Sequence, residues 1–151
     1  EITCTCPHLK VKNYFQKISG PILDRIDIEI LVNRVSSVDL MNQHTAEGSE
    51  KIKERIMRAR NIQAKRFKKS PNHFNSQMSN KQIAYTSSLT KEAEVTLKHA
   101  IDTLNLSARS FYKIIKVART IADLADSETV INDHILEAIS YKNLQKNYNL
   151  F

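Results

Sequence analysis

Glycine and proline are nearly missing from this sequence: only Gly20 and Gly48, and Pro7, Pro21 and Pro71, among 151 residues. A sandwich or barrel needs a turn every few residues, so the shortage of turn-formers argues against both. Two nucleotide-binding motifs are excluded by counting. A P-loop requires two glycines five positions apart and a dinucleotide fingerprint three close together, and neither can be built here. Long apolar runs are absent too: nothing approaches the roughly 20 consecutive apolar residues of a membrane span, and the opening EITCTCPHLK lacks the basic and then apolar run of a signal peptide. Cysteine is limited to Cys4 and Cys6, too few for a disulfide framework, which favours an intracellular, reducing setting. The chain also opens without methionine, so a fragment, a processed chain or a removed tag all fit.

What is present is consistent with a soluble domain: 41% apolar and 26% charged residues suit a modest core. The net charge of +7 is concentrated. Residues 1–50 sum to −2, residues 51–69 to +8 and residues 70–151 to +1. The basic segment contributes Lys51, Lys53, Arg55, Arg58, Arg60, Lys65, Arg66, Lys68 and Lys69 against Glu54 alone. Such a stripe suits a polyanion such as DNA, bound in a salt-sensitive way through Lys51, Arg55, Arg58, Lys65, Arg66, Lys68 and Lys69. A solvated helix face would have the same composition.

Hydrophobic spacing predicts a short helix over 9–18, broken by Ser19-Gly20-Pro21. Ile26-Asp27-Ile28-Glu29-Ile30-Leu31-Val32 alternates at period two and is the one segment with a strand pattern. A single strand is unstable alone, so its partners should lie elsewhere. Residues 35–48 read as a linker. From Ser49 onward the pattern is helical. Ser49 is expected to cap a helix to about Phe67 with Ile52, Ile56, Ala59 and Phe67 inward. Residues 70–75 read as a loop, and Ser79-Asn80-Lys81-Gln82 as a capping box opening a short helix. Thr90 caps the next helix, with Ala93, Leu97, Ala100, Ile101 and Leu104 inward. Ser107 caps the best-patterned one, its stripe being Phe111, Ile114, Ile115, Ala118, Ile121, Ala122 and Ala125. Asn132 is expected to cap the last helix, with Ile131 and Leu136 as a hydrophobic staple. The tail from 143 should fray. The fold class is mainly α: a helical bundle preceded by a short strand-containing segment.

Catalytic signatures are absent. The five histidines lie far apart, with no HExxH. Cys4, Cys6 and His8 supply at most three of the four ligands of a structural zinc, leaving ordinary thiols or part of a metal site. Arg25 is flanked by Asp24 and Asp27, so a local ion pair is the simple reading of that arginine. Arg109 falls in the first turn of the helix capped by Ser107, against the positive end of the helix dipole, where a nearby anion would resolve the mismatch. Arg119 lies outside the apolar stripe, four residues before Asp123, and a solvated charge there is the simple alternative.

Two long blocks resemble a known family. Ile18-Ser19-Gly20-Pro21-Ile22-Leu23-Asp24-Arg25-Ile26-Asp27-Ile28, preceded by the C-x-C of Cys4 and Cys6 and by Tyr14, is similar to a run in magnesium-chelatase-like AAA+ ATPases of the ComM (YifB) competence group. Leu106-Ser107-Ala108-Arg109 through Val117-Ala118-Arg119-Thr120-Ile121-Ala122-Asp123-Leu124 resembles a helix of the same group, as does His134 through Tyr141. The resemblance takes in nearly the whole chain and is strongest in the two long blocks.

This resemblance implies that residues 1–34 are the end of an α/β AAA+ core, 35–48 a linker, 49–142 a helical lid and 143–151 a tail. It implies that the Walker motifs and a further cysteine pair lie before the region matched, making Cys4 and Cys6 half of a four-cysteine cluster. Arg25 takes the place of an arginine finger that reaches a neighbouring subunit's ATP, a task suited to a permanent cation. Arg109 takes the place of the sensor-2 arginine, and Arg119 is a weaker second candidate for nucleotide contact. ATP and Mg2+ are then cofactors of the parent protein, with none expected in this segment itself. DNA is a partner, self-association gives a ring (a hexamer by family habit), and the setting is cytoplasmic without a membrane. The implied role is ATP-driven DNA branch migration in recombination and natural transformation. Two alternatives remain: a free-standing helical nucleic-acid-binding module using residues 51–69, and the lid of a true magnesium-chelatase motor subunit.

Overall fold

The computed structural model describes residues 5–17, 20–30, 32, 35, 37, 41 and 47–142. Cys4, most of the linker expected at 35–48 and the tail expected from 143 lie outside the described residues. Seven α-helices and a 3₁₀ turn are given by the described residues: α1 (His8–Gln16), α2 (Gly20–Leu23), α3 (Ser49–Arg66), the 3₁₀ turn (Asn75–Gln77), α4 (Asn80–Thr86), α5 (Lys91–Leu104), α6 (Ala108–Leu124) and α7 (Asn132–Ser140).

The helix α6 organises the bundle. It packs against α3, the 3₁₀ turn, α4 and α7, while α5 packs on α7. Its Ile114, Ile115, Ala118 and Ala122 are buried with Leu97, Val130, Ile135 and Ala138 in one core, and Phe111 and Ile121 pack at the edge. Ala125, expected in the stripe, is exposed because α6 has already ended at Leu124.

Three of the expected caps form: Ser79 accepts from the Gln82 amide, Thr90 from Ala93 and Ser107 from Ser110. Two do not. Ser49 is the first residue of α3; Gly48 occupies the cap position without a side-chain acceptor, and Glu50 supplies the negative charge in the first turn. Asn132 is likewise the first residue of α7, and its Oδ1 accepts from the Thr96 hydroxyl at 2.6 Å, joining α7 to α5. The expected staple is not made as a buried contact, since Ile131 and Leu136 are both exposed. With glycine so scarce, the left-handed backbone positions fall to Ser88, Asn105 and Asp126. Asn105 at φ 49° ends α5. An unanticipated parallel bridge, Leu89 to Val130, fastens the start of α5 to the start of α7.

The strand expected over 26–32 is not found at its described residues, 26–30 and 32. Among the described residues no strand forms, and residues 26–30 run as irregular backbone. Ile28 and Ile30 are 50% and 65% exposed. The Glu29 amide donates to the Tyr141 carbonyl at 2.9 Å, but no second strand runs alongside to make a ladder. Helix α1 likewise turns Leu9 and Tyr14 to solvent. The first half of α3 stands clear of the bundle too: Ile52 and Ile56, expected inward, are exposed, and burial begins only at Ala59 and Gln63.

Candidate functional site

A groove of about 510 Å³ lies where residues 21–29 cross the start of α6. Arg25, Arg109 and Lys142 line it together with Asp24, Glu29 and Ser107. The two sequence blocks, more than eighty residues apart, thus meet at one place.

Asp24 makes the junction. Its Oδ1 accepts from the Ser110 hydroxyl at 2.6 Å and its Oδ2 from the Ser107 hydroxyl at 2.8 Å. Those two hydrogen bonds, Ser110 first, hold the Asp24 carboxyl below its ordinary value, and the charges of Lys142 and Arg109 add to them. The anion that the first turn of α6 called for is therefore present within the chain. Lys113 donates to the Arg25 carbonyl at 2.5 Å and pairs with Asp27 at 2.9 Å. Lys142 donates to the Leu23 carbonyl at 3.4 Å and to that of Ile26. Burial lowers the Lys142 ammonium from its ordinary value and raises the Glu29 carboxyl.

The simple reading of Arg25 fails in this geometry. Asp24 is engaged by serines and Asp27 by Lys113, so the exposed Arg25 guanidinium makes no ion pair among the described residues. Arg109 is exposed in the same groove and also makes no ion pair among them. The groove thus presents two cations without an ion pair among the described residues, an arrangement that favours anions over neutral groups.

Arg119 is a correction. It is 1% exposed, and its guanidinium is used up inside the protein. Nε donates to Asp123 Oδ1 at 3.1 Å, Nη1 to the Glu128 carbonyl at 2.7 Å and Nη2 to the Ser127 carbonyl at 2.5 Å. It is neither open to a nucleotide nor a solvated charge. The partner Asp123 was visible at i+4, but its burial was not. Burial alone would raise the Asp123 carboxyl; hydrogen bonds from Arg66 and Asn75 and the charges of Arg66 and Arg119 overturn that and hold it low.

Arg66 is the second correction. Expected on a DNA-facing stripe, it forms a two-pronged contact to Asp123, at 2.5 Å from Nη2 and 2.7 Å from Nη1, and also donates to Asn75 Oδ1 at 2.8 Å. Asn75 donates to Asp123 Oδ2 at 2.8 Å and to Thr120 at 3.1 Å. Sequence reasoning missed Asn75 altogether, and no local pattern flags an asparagine in a loop as a buried hub. Arg55 is exposed but paired to Glu47 through both oxygens at 2.9 and 3.1 Å. Lys51, Arg58, Lys65, Lys68 and Lys69 are exposed. The stripe therefore survives, thinner than its composition suggested.

Cys6 is exposed, and no cluster of three metal-ligating side chains occurs among the described residues. Cys4, the other half of the expected metal site, lies outside the described residues. No helix among the described residues is long and apolar enough to cross a membrane.

Residues 46–142 match the family described as magnesium chelatase, subunit ChlI C-terminal, and residues 1–40 match magnesium chelatase, subunit ChlI. The chain is 32% identical over 134 residues to competence protein ComM of Haemophilus influenzae, covering 88% of this chain and 26% of that protein. It is 30% identical over 143 residues to the uncharacterized protein YifB of Escherichia coli, covering 93% of this chain and 27% of that one. It thus spans about a quarter of the length of the curated relatives it matches. The chain belongs to the magnesium chelatase ChlI C-terminal family and is a ComM- and YifB-like relative of the AAA+ ATPases.

Proposed function

We propose that this chain is the finger-bearing and lid portion of a ring-forming ATPase that moves DNA branches, with residues 1–34 completing the α/β core, 35–48 linking and 49–142 forming the lid. The observation that carries this reading is that Arg25 and Arg109 share one groove, both open, while the acids beside Arg25 are bound to other partners. Arg25 acts as the arginine finger on ATP held by a neighbouring subunit. Arg109 contacts the same polyphosphate from the first turn of α6. ATP and Mg2+ belong to the whole protein, whose setting is cytoplasmic. A finger of this kind is worth roughly 10³–10⁵ in rate.

The test is steady-state ATP hydrolysis by the full-length protein, comparing wild type with Arg25→Ala and Arg109→Ala. Arg25→Ala should bind ATP but hydrolyse it roughly 10³–10⁵-fold more slowly, and mixing it with a Walker-deficient variant should restore activity, because the finger works across a subunit boundary. Normal hydrolysis by Arg25→Ala would end the reading.

DNA contact through α3 is a second, separable element. The exposed Lys51, Arg58, Lys65, Lys68 and Lys69 support it. Each phosphate contact removed should flatten the dependence of log affinity on log salt by about 0.9. Lys65→Ala and Lys68→Ala should therefore each reduce the slope, measured by titrating the full-length protein with duplex DNA at several salt concentrations. A free-standing DNA-binding module is less favoured, because it leaves the Arg25–Arg109 groove without a use. A chelatase motor subunit would share the groove, but the C-x-C and ISGPILDRID blocks favour the ComM-like role.

A further inference from the structure

Three features meet at Asp24 that the arginine roles alone do not require. The first is position: Asp24 immediately precedes Arg25, while its two hydroxyl partners, Ser107 and Ser110, stand on either side of Arg109. The second is double use of Ser107, whose oxygen accepts the Ser110 amide at 3.1 Å while its proton goes to Asp24. Shifting the carboxylate would therefore disturb the very turn that carries Arg109. The third is the pinning of the backbone on both sides. Lys113 holds the Arg25 carbonyl, and Lys142 holds those of Leu23 and Ile26, so the main chain is fixed and the Arg25 side chain is left open.

We infer that Asp24 is a positioning residue that locks Arg25 and Arg109 into one rigid pair, so that both reach a single polyphosphate together. The inference rests on the reading of those two arginines given above. A helix cap that merely steadied α6 would need one hydroxyl contact and no tie to residue 25. Here the carboxylate spans both serines around Arg109, and the next residue is the other arginine. Misplacement by about 1 Å can cost on the order of 10²-fold in rate, so the geometry of the pair is a sensitive quantity.

The test uses the full-length protein and single-turnover ATP hydrolysis in a double-mutant cycle. Asp24→Ala should lower the rate on the order of 10²-fold with ATP affinity little changed, and Asp24→Asn, which keeps the shape and can still bond one serine, should fall between. In an Arg25→Ala, Arg109→Ala background, Asp24→Ala should have almost no further effect, because residues acting as a unit are non-additive. An equal loss in both backgrounds would mean that Asp24 only stabilises the fold, and would overturn the inference. So would full activity of Asp24→Ala alongside inactive arginine variants, which leaves the arginine roles standing. If the arginine variants hydrolyse ATP normally, the reading on which the inference rests is the one that fails. Asp24→Asn, the closest match in size, keeps the outcome readable should Asp24→Ala fold poorly.

Discussion

The two ends of α6 use the same chemistry to opposite effect. At its start, Asp24 bonds two serines and leaves Arg109 and Arg25 facing a groove. At its end, Asp123 sits between Arg66 and Arg119, and the Arg119 guanidinium is fully engaged. An arginine can act on an outside anion only if its N–H groups are not already spent. Burial decides this, because a buried guanidinium must find acceptors within the protein or lose the cost of its desolvation. The open end leaves two cations facing the groove, and the closed end holds α3, the 3₁₀ turn and α6 together.

The sharpest way to break that contrast is at the closed end. Asp123→Ala strands two cations and should cost about 3–5 kcal/mol in chemical denaturation; a loss below about 1 kcal/mol would place the triad outside the set of contacts that hold the bundle. The middle of the helix gives the next largest effect. Ile115→Ala should cost about 2–5 kcal/mol, and Ile121→Ala less, because Ile121 packs only at the core's edge.

Acid titration tests both ends at once. Asp24 and Asp123 are both held below the ordinary 3.8, so each folded carboxylate releases its proton more readily than the unfolded one. Their contribution is present above that ordinary value and is lost as the pH falls through the lowered folded values. Asp123→Asn should therefore flatten the acid side of the stability curve more than Asp24→Asn, because Asp123 is the buried one. Arg109→Ala should have the smallest effect, within about 0.5 kcal/mol, since the opposition of an arginine to the dipole at a helix start is offset by its attraction to Asp24. A loss beyond 1 kcal/mol in thermal or chemical melts would reveal a structural partner for Arg109 and blur the contrast.

Much of the bundle was legible in the sequence because helical spacing, caps and apolar stripes are local. Ser79, Thr90 and Ser107 act as caps, and Leu97, Ile114, Ile115 and Ala118 are buried as their spacing predicts. The misses are non-local. Ile52 and Ile56 repeat correctly, yet none of the described residues buries that half of α3. Ile26, Ile28 and Ile30 alternate as a strand should, but pairing requires a neighbour that periodicity cannot supply. At the candidate site, the two motif blocks marked Arg25 and Arg109, whereas Asp24 as their link, and Asn75 as a buried hub, depend on contacts between distant segments.

The sequence by itself determined the helical class, three of the five expected caps, and the two blocks that carry the family likeness, since each of these resides in neighbouring residues. Only the tertiary structure decided which arginines lack an ion pair among the described residues. Arg25, Arg66, Arg109 and Arg119 are chemically alike, and their difference lies in how deeply each is buried and in which carboxylates and carbonyls the fold brings within about 3 Å of it.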